Sequence, residues 1–431
     1  MAILLLLSVL VTCVSFHGTS ANTGVIISGG ALDNFYQSSR EPLQSELEVY
    51  LKALAPFIVS GHFLEVTITA VVVTKIELSL VPGLGLNVLV CASIHLRCVT
   101  LASVSVTVIA NVCVTLRLRV TSLELVVDDC SAVFGEMRLD LLSISIQVPR
   151  VALIGVLGGP ICQAYTVVCR RLNFLLVVDL APISLPAGCR YDRFPPRITA
   201  SLLELPFVAV CAGVSKQQPP VLSCGHLYTG PLGNNFVYYT SAEDLTCLFT
   251  ALLDAKVFDK EITPTTMTTT VIVENFPQVN CPRGLSVVVR IVCTSLKAEI
   301  RTSSIYIDFG FGVTIGYVSS GGGYVPVLHF VVTGRFGIRA TINCARRLVS
   351  ITMTTLSAFN IVGSCATGSC VIDSAVAERV FPLGTWCRQI LSVNLKERIH
   401  LLLPTHFSCD TCSSAVYRQG CAYISCSPGF R

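Results

Sequence analysis

The stretch LEVTITAVVVTKIELSL, residues 64–80, decides the fold. Its even positions carry Leu64, Val66, Ile68, Ala70, Val72, Ile76, Leu78 and Leu80, interrupted only by Thr74, while Glu65, Thr67, Thr69, Lys75, Glu77 and Ser79 stand at odd ones. Alternation with period two is the pattern of an antiparallel strand with one face in a core and the other in water. A strand this long is roughly three times the ordinary length.

The pattern returns at Leu84 to Leu96 and from Val104 to Val120. There Val104, Val106, Val108, Val112, Val114, Leu116 and Leu118 oppose Ser103, Ser105, Thr107, Asn111, Thr115, Arg117 and Arg119. At roughly 3.3 Å per residue such strands are about 50 Å long. VPGL (residues 81–84) supplies a tight turn between the first two. Large twisted sheets curl, so the pattern predicts an elongated roll or barrel whose apolar inner face needs a cover.

Two helical segments can cover it. Leu43, Leu47, Tyr50, Leu51, Leu54 and Ile58 recur at helical spacing in PLQSELEVYLKALAPFI (42–58). SAED (241–244) reads as a capping-box start to a helix presenting Leu245, Leu248, Phe249 and Leu252. Between them, Val151 to Cys169 is uncharged but holds Gly155, Gly158, Gly159, Pro160 and Gln163. It reads as buried amphipathic helices broken at Pro160 rather than as a membrane span.

Alternating strands resume at Leu285 to Ile291, Ile305 to Ile315, Val325 to Val331 and Arg335 to Ile342, so the order of helix and long strands occurs twice. Gly310 and Gly312 lie on one of these strands and are assigned to sheet packing. The Pro- and Gln-rich stretch VSKQQPPVLSCG (214–225) marks a boundary. The chain is 431 residues long, beyond the size at which single cores stop growing, which also argues for two domains.

Hydrophobic residues make up 52% and charged residues 13%, against about 25% charged in an average soluble domain, so the chain buries much apolar surface or holds something apolar. The net charge of +4, with no basic run longer than the pairs Arg170-Arg171 and Arg346-Arg347, is too little for a nucleic-acid footprint. An apolar run from Ile3 to Val14, followed by small polar residues near Ser20 and Ala21, reads as a secretory signal over residues 1–21. Its loss would take Cys13 and leave an even number of cysteines in a chain bound for an oxidising compartment, where disulfides are expected. There is no Asn-X-Ser/Thr sequon.

Five segments in register now point to a family: 64–88, TSLELVVDDCSAVFGEMRLDLLS (121–143), GPICQAYTVV (159–168), PPRITASLLELPFVA (195–209) and LTCLFTALLDAKVFDKEIT (245–263). Together they resemble the bactericidal/permeability-increasing protein (BPI) and lipopolysaccharide-binding protein family, in particular its long palate-lung-nasal-clone branch. The resemblance implies an α+β fold of two elongated, strongly twisted antiparallel sheet rolls, each wrapped around a long helix and joined by a central sheet. It implies a lipid-binding domain over 22–214, a linker over 215–225 and a second domain over 226–431. It also aligns VDDC (127–130) with a family element whose cysteine is disulfide-bonded to the helical segment that follows. The partner of Cys130 is then Cys162, with Cys169 as the alternative. A loop of about 32 residues closed this way contributes about 3–4 kcal/mol. The many remaining cysteines, and the tail CDTCSSAVYRQGCAYISC (409–426), depart from the family pattern.

No nucleophile-elbow, zinc-protease or phosphate-loop motif occurs, and none of the seven histidines pairs at helical spacing, so an enzyme is not expected. Cys409, Cys412, Cys421 and Cys426 with His406 form a candidate zinc set, but secretion favours disulfides there. Asp128 and Asp129 are read as marking where a long strand ends in water. Residues 22–200 carry acidic and basic side chains in equal number, which argues against the basic tip that lipid A phosphates need. The expected function is a secreted lipid-binding protein in mucosal or innate defence. It shelters phospholipid or another apolar ligand against Val66, Ile68, Val106, Val108, Ile307 and Phe309, with no cofactor, metal, nucleic acid or transmembrane segment. The alternative is a protein that binds bacterial lipopolysaccharide or a membrane or air–water surface without carrying a ligand.

Overall fold

The computed structural model describes residues 23–38, 40–54, 56–59, 63–100, 103–120, 125–140, 150–176, 189–211, 224–345, 348–356, 359–366, 370–395, 399–400, 407–418 and 420–430. The expected leader and most of the expected linker lie outside them.

The first run of the chain is β1 (Thr23–Ser28), α1 (Gly29–Ser38), α2 (Arg40–Ala53), β2 (Phe57–Val59), β3 (Phe63–Val81), β4 (Gly85–Thr100), β5 (Ser105–Val120), β6 (Leu125–Asp140) and α3 (Arg150–Leu176). Then come β7 (Cys189–Arg193), β8 (Arg197–Ile198), β9 (Leu202–Cys211), α4 (Cys224–Leu227), β10 (Phe236–Ser241) and α5 (Ala242–Asp254). The last run holds β11 (Lys260–Ile262), α6 (Thr269–Asn275), β12 (Val287–Ile300), β13 (Ile305–Val318), β14 (Tyr324–Asn343), β15 (Leu348–Leu356), β16 (Asn360–Cys365) and β17 (Val371–Ile372). It closes with α7 (Ser374–Val380), α8 (Leu383–Leu395), β18 (Ile399–His400), β19 (Phe407–Cys412), β20 (Val416–Arg418) and β21 (Cys421–Phe430).

Three antiparallel sheets result, and the fold is α+β. The first is β2-β3-β4-β5-β6, the second is β11-β12-β13-β14-β15-β18 with β16 and β17 attached, and the third is β19-β21-β10-β1-β9-β7 with β8 and β20 attached. This third, central sheet takes strands from both ends of the chain: β1 pairs with β9 and with β10, and β10 pairs with β21.

The hairpin between β3 and β4 turns at Pro82 and Gly83, where Leu84 N–H donates to the Val81 carbonyl at 3.1 Å. Proline fixes the first central residue, and Gly83 takes a φ of +70° that a side chain would resist. Beyond the turn, β3 departs from strict alternation. Val66 and Ile68 are buried, but so are Val71 and Val73, and then Ile76 and Leu80, whereas Val72 is 41% exposed. The ladder with β4 slips between Ile68 and Ala70 and again between Val73 and Lys75. Each slip is a β-bulge, which changes the parity facing the core and increases the local twist. The run AVVV (70–73) conceals the change, because it satisfies either parity.

Between β4 and β5 the register is unbroken, and the even residues from Leu86 to Cys98 and from Val106 to Leu118 are all buried. Val104 lies outside β5 and is exposed. Ile58 belongs to β2 rather than to the helix, which ends at Ala53. The two stretches Val325 to Val331 and Arg335 to Ile342 are one strand, β14.

The helices cover these faces. α2 buries Leu43, Leu47 and Leu51 against β3, and α3 packs on β2, β5 and β6. Contrary to the expected break, α3 runs through Pro160. Its buried residues Leu157, Ile161, Ala164, Tyr165 and Val168 share one face on both sides of the proline. Packing along that face holds the helix together where one backbone hydrogen bond is lost. Several shorter helices cover the second sheet: α5 lies on β12, α8 on β15 and α7 on β16. Among the described residues, no helix is long and apolar enough to cross a membrane.

The bulged register makes adjacent valines unequal. Val71→Asp places an unpaired charge in the core and is expected to cost about 3–5 kcal/mol, whereas Val72→Asp changes stability by less than about 1 kcal/mol. Urea midpoints of the two variants check this, and the reverse ranking would restore strict alternation.

Candidate functional site

The six residues expected to line an apolar site fall into two groups. Val66 lies opposite Cys98, which lies opposite Val106; Ile68 lies opposite Leu96, which lies opposite Val108. These four predicted residues therefore occupy two adjacent rows across β3, β4 and β5, and all are buried. β2 runs alongside at Val66, and α3 reaches over β2. The approach of α3 to β6 passes through Gly158, which faces Phe134 at ordinary packing distance. Cys98 sits within the rows as a free thiol, and burial pushes its pKa up to about 11, which keeps it neutral and unreactive at neutral pH.

Ile307 and Phe309 lie on β13 in the second sheet. Ile307 faces Ala298 and Phe336 across the ladders, and Phe309 faces Leu296 and Gly334. The Phe309 ring stands 5.9 Å from that of Phe311 and 5.8 Å from that of Phe336. This second group is a packed aromatic cluster on a different sheet from the first.

Cys130 on β6 is joined to Cys162 on α3, with 5.9 Å between their Cα atoms; the side chain of Cys169 lies outside the described residues. The bond ties the covering helix to the edge strand of the sheet it covers. The acid pair beside Cys130 does not end a strand: β6 begins at Leu125 and continues to Asp140. The ladder with β5 slips between Arg117 and Leu118, leaving Asp128 as the extra residue. From this bulge Asp128 reaches Arg119 Nη2 at 3.0 Å, and Asp129 stands opposite Arg117. A solvent-exposed pair of this kind contributes at most about 1 kcal/mol.

The candidate zinc cysteines are in disulfides: Cys409 with Cys344, Cys412 with Cys426, and Cys421 with Cys224. His406 lies outside the described residues. Three further pairs, Cys91–Cys113, Cys189–Cys211 and Cys365–Cys370, also close. Cys247, Cys281, Cys293 and Cys387 are free, like Cys98.

Sequence reasoning missed a buried polar seam in the central sheet. Asp244, at the third position of α5, accepts a hydrogen bond from Thr23 Oγ1 at 2.5 Å, and Thr23 Oγ1 lies 3.0 Å from Thr240 Oγ1. The capping box is only half formed. Ser241 accepts from Asp244 N–H, but the Asp244 carboxylate turns away to β1. Burial raises the Asp244 pKa to about 7, against the lowering effect of Thr23 and of the Ala209 N–H. On another part of the sheet, buried Glu204 accepts from Tyr239 Oη at 2.7 Å and pairs with Arg197 Nε at 2.9 Å. Gly225 lies against that carboxylate, and an added Cβ would come within 1.6 Å of Glu204 Oε1, so only glycine fits. The signals available were Glu204 inside an apolar strand and an acid at the third helical position; the first does not announce Tyr239, 35 residues on, nor the second Thr23, 221 residues back.

Two outcomes follow from this geometry. The double variant Cys130→Ser, Cys162→Ser is expected to lose about 3 kcal/mol of stability by urea unfolding, since the loop it frees spans 32 residues. For Asp244 the folded pKa lies above the unfolded one. Its contribution to stability is full below about pH 4 and is lost as the pH rises to about 7. Asp244→Asn should flatten this decline, leaving the melting temperature near wild type at pH 4 and above it at pH 8.

No protein-family model matches the chain, and no curated protein matches it in sequence. Among solved structures it is similar to crystalline lipopolysaccharide-binding protein, at 14% identity and a TM-score of 0.52, over 96% of this chain and 99% of that one. P47 of Clostridium botulinum E1 superimposes at 10% identity and a TM-score of 0.33 over 95% of this chain and 100% of the other, too loosely to bear on the fold. With its two covered sheets and the central sheet between, the chain has the BPI-like fold of lipopolysaccharide-binding protein.

Proposed function

We propose that the protein binds a lipid or another apolar ligand between the inner faces of its long sheets and the helices that cover them. The observation that carries this reading is the continuous apolar lining of β3, β4 and β5, in which Val66, Ile68, Cys98, Val106 and Val108 form a patch with no polar side chain among them. An acyl chain needs such a lining and nothing directional from it. The resemblance to a protein titled lipopolysaccharide-binding supports a lipid-like ligand. Balanced charge over residues 22–200 favours the acyl portion over anionic headgroups as the recognised part.

We place the protein in the long palate-lung-nasal-clone branch, divided near residue 215 and secreted after loss of residues 1–21. The density of disulfides supports an extracellular setting. A role in mucosal defence fits these properties.

A second reading, adsorption to a bacterial or air–water surface, is favoured by one feature. Val292, Val331 and Val362 are 45%, 53% and 58% exposed, and they align across β12, β14 and β16 with Gly312 of β13 between the first two. Contiguous exposed apolar surface of this kind marks interaction sites.

Mass spectrometry of the protein isolated without detergent should find bound lipid in stoichiometric amount, and the stripped protein should take up a fluorescent fatty acid that the extracted lipid displaces. An empty protein that takes up none would refute the carrier reading. Lowering of surface tension that is abolished by changing the three exposed valines to serine would favour adsorption.

A further inference from the structure

We propose that a cleft between β14 and the C-terminal segment is a binding site for a neutral pyranose sugar. The cleft has a volume of about 990 Å³, within the ordinary range of ligand sites. It lies apart from the apolar rows on β3 to β5, and the proposal does not depend on the lipid reading.

Three features carry the inference. First, the walls are fixed. The Cys344–Cys409 bond clamps the end of β14 to β19, and Cys412–Cys426 fixes β19 to β21; Cys344 and Cys412 both line the cleft, with their sulfurs 3.6 Å apart. A site held in shape by crosslinks loses little entropy on binding.

Second, polar groups without protein partners gather there. Among the described residues, Arg339 and Asp410 make no ion pair and the Thr341 hydroxyl makes no hydrogen bond; all three are exposed to solvent and line the cleft with Ser414. One guanidinium and one carboxylate offset each other, which disfavours a phosphate. Together with hydroxyls they offer both donors and acceptors, the complement of sugar hydroxyls.

Third, two tyrosines flank these groups. Tyr306 already has the Arg301 and Arg335 guanidinium groups 5.4 Å and 5.9 Å from its ring centre, so the stacking face falls to Tyr417, which is half-buried with Arg339 nearby. A pyranose has a C–H face suited to an aromatic ring and an edge of hydroxyls suited to Arg339, Asp410 and Thr341. A purely apolar guest would leave those polar groups desolvated and unpaired.

The test uses the intact protein with methyl glycosides of glucose, galactose, mannose and N-acetylglucosamine, read by saturation-transfer NMR and calorimetry. A parallel arm floats the protein with phosphatidylcholine vesicles with or without glucosylceramide. At least one probe should bind. Asp410→Asn and Arg339→Gln should each weaken binding about tenfold, the loss of one hydrogen bond to a charged group. His329→Ala, on the exposed face of β14 away from the cleft, serves as a control that should bind as wild type. Unchanged melting temperatures and fatty-acid uptake in the two cleft variants separate a lost sugar site from lost folding or lost lipid binding. Binding of a free glycoside identifies a soluble glycan as sufficient, and binding only to glucosylceramide vesicles assigns the sugar to a lipid headgroup. No binding in either arm, or binding untouched by both variants, would overturn the proposal.

Discussion

Each long strand of this protein has one face that water would penalise, and covering that face organises the molecule. A buried valine or leucine contributes about 1.5–3 kcal/mol relative to exposure, so an uncovered inner face of β4 or β5 would be untenable. The sheets curl because their strands twist, and the bulges in β3 add to the twist where α2 lies across it. The Cys130–Cys162 bond then fixes α3 to the edge of the sheet it covers. An interior lined and closed in this way has no directional chemistry, which suits a ligand recognised by its apolarity.

The central sheet answers a different problem. Its strands come from residues 23–28, 189–211, 236–241 and 407–430, so the two covered sheets are joined by pairing of segments remote in sequence. Buried polar contacts mark these joints: Thr23 with Asp244, and Tyr239 and Arg197 with Glu204. Removing one partner would leave the other buried and unsatisfied, which makes such groups costly to lose. The Cys224–Cys421 bond adds a covalent tie at the same sheet.

Alternation made the long strands legible, since Leu86 to Cys98 and Val106 to Leu118 keep one parity throughout. It failed at Val71 and Val73, because a bulge leaves no trace in a run of residues that are all apolar. The continuity of α3 through Pro160 was hidden for a related reason: proline's local preference is readable, whereas the packing of Leu157 and Ile161 that overrides it is not. Of the proposed apolar site, the grouping of Val66, Ile68, Val106 and Val108 follows from strand order, but the separation of Ile307 and Phe309 onto another sheet required the topology. The buried contact of Asp244 with Thr23 depends on a pairing between residues 221 apart in the chain.

The central claim is that the ligand lies inside, between sheet and cover. A fatty acid carrying a diazirine at its chain terminus, bound and photolysed, places a covalent mark on whatever surrounds that chain. Peptide mapping should find the marks on β3 to β5 around Val66, Cys98 and Val108 and on the facing side of α3. Marks confined to outward residues such as Val292, Val331 and Val362 would contradict the account.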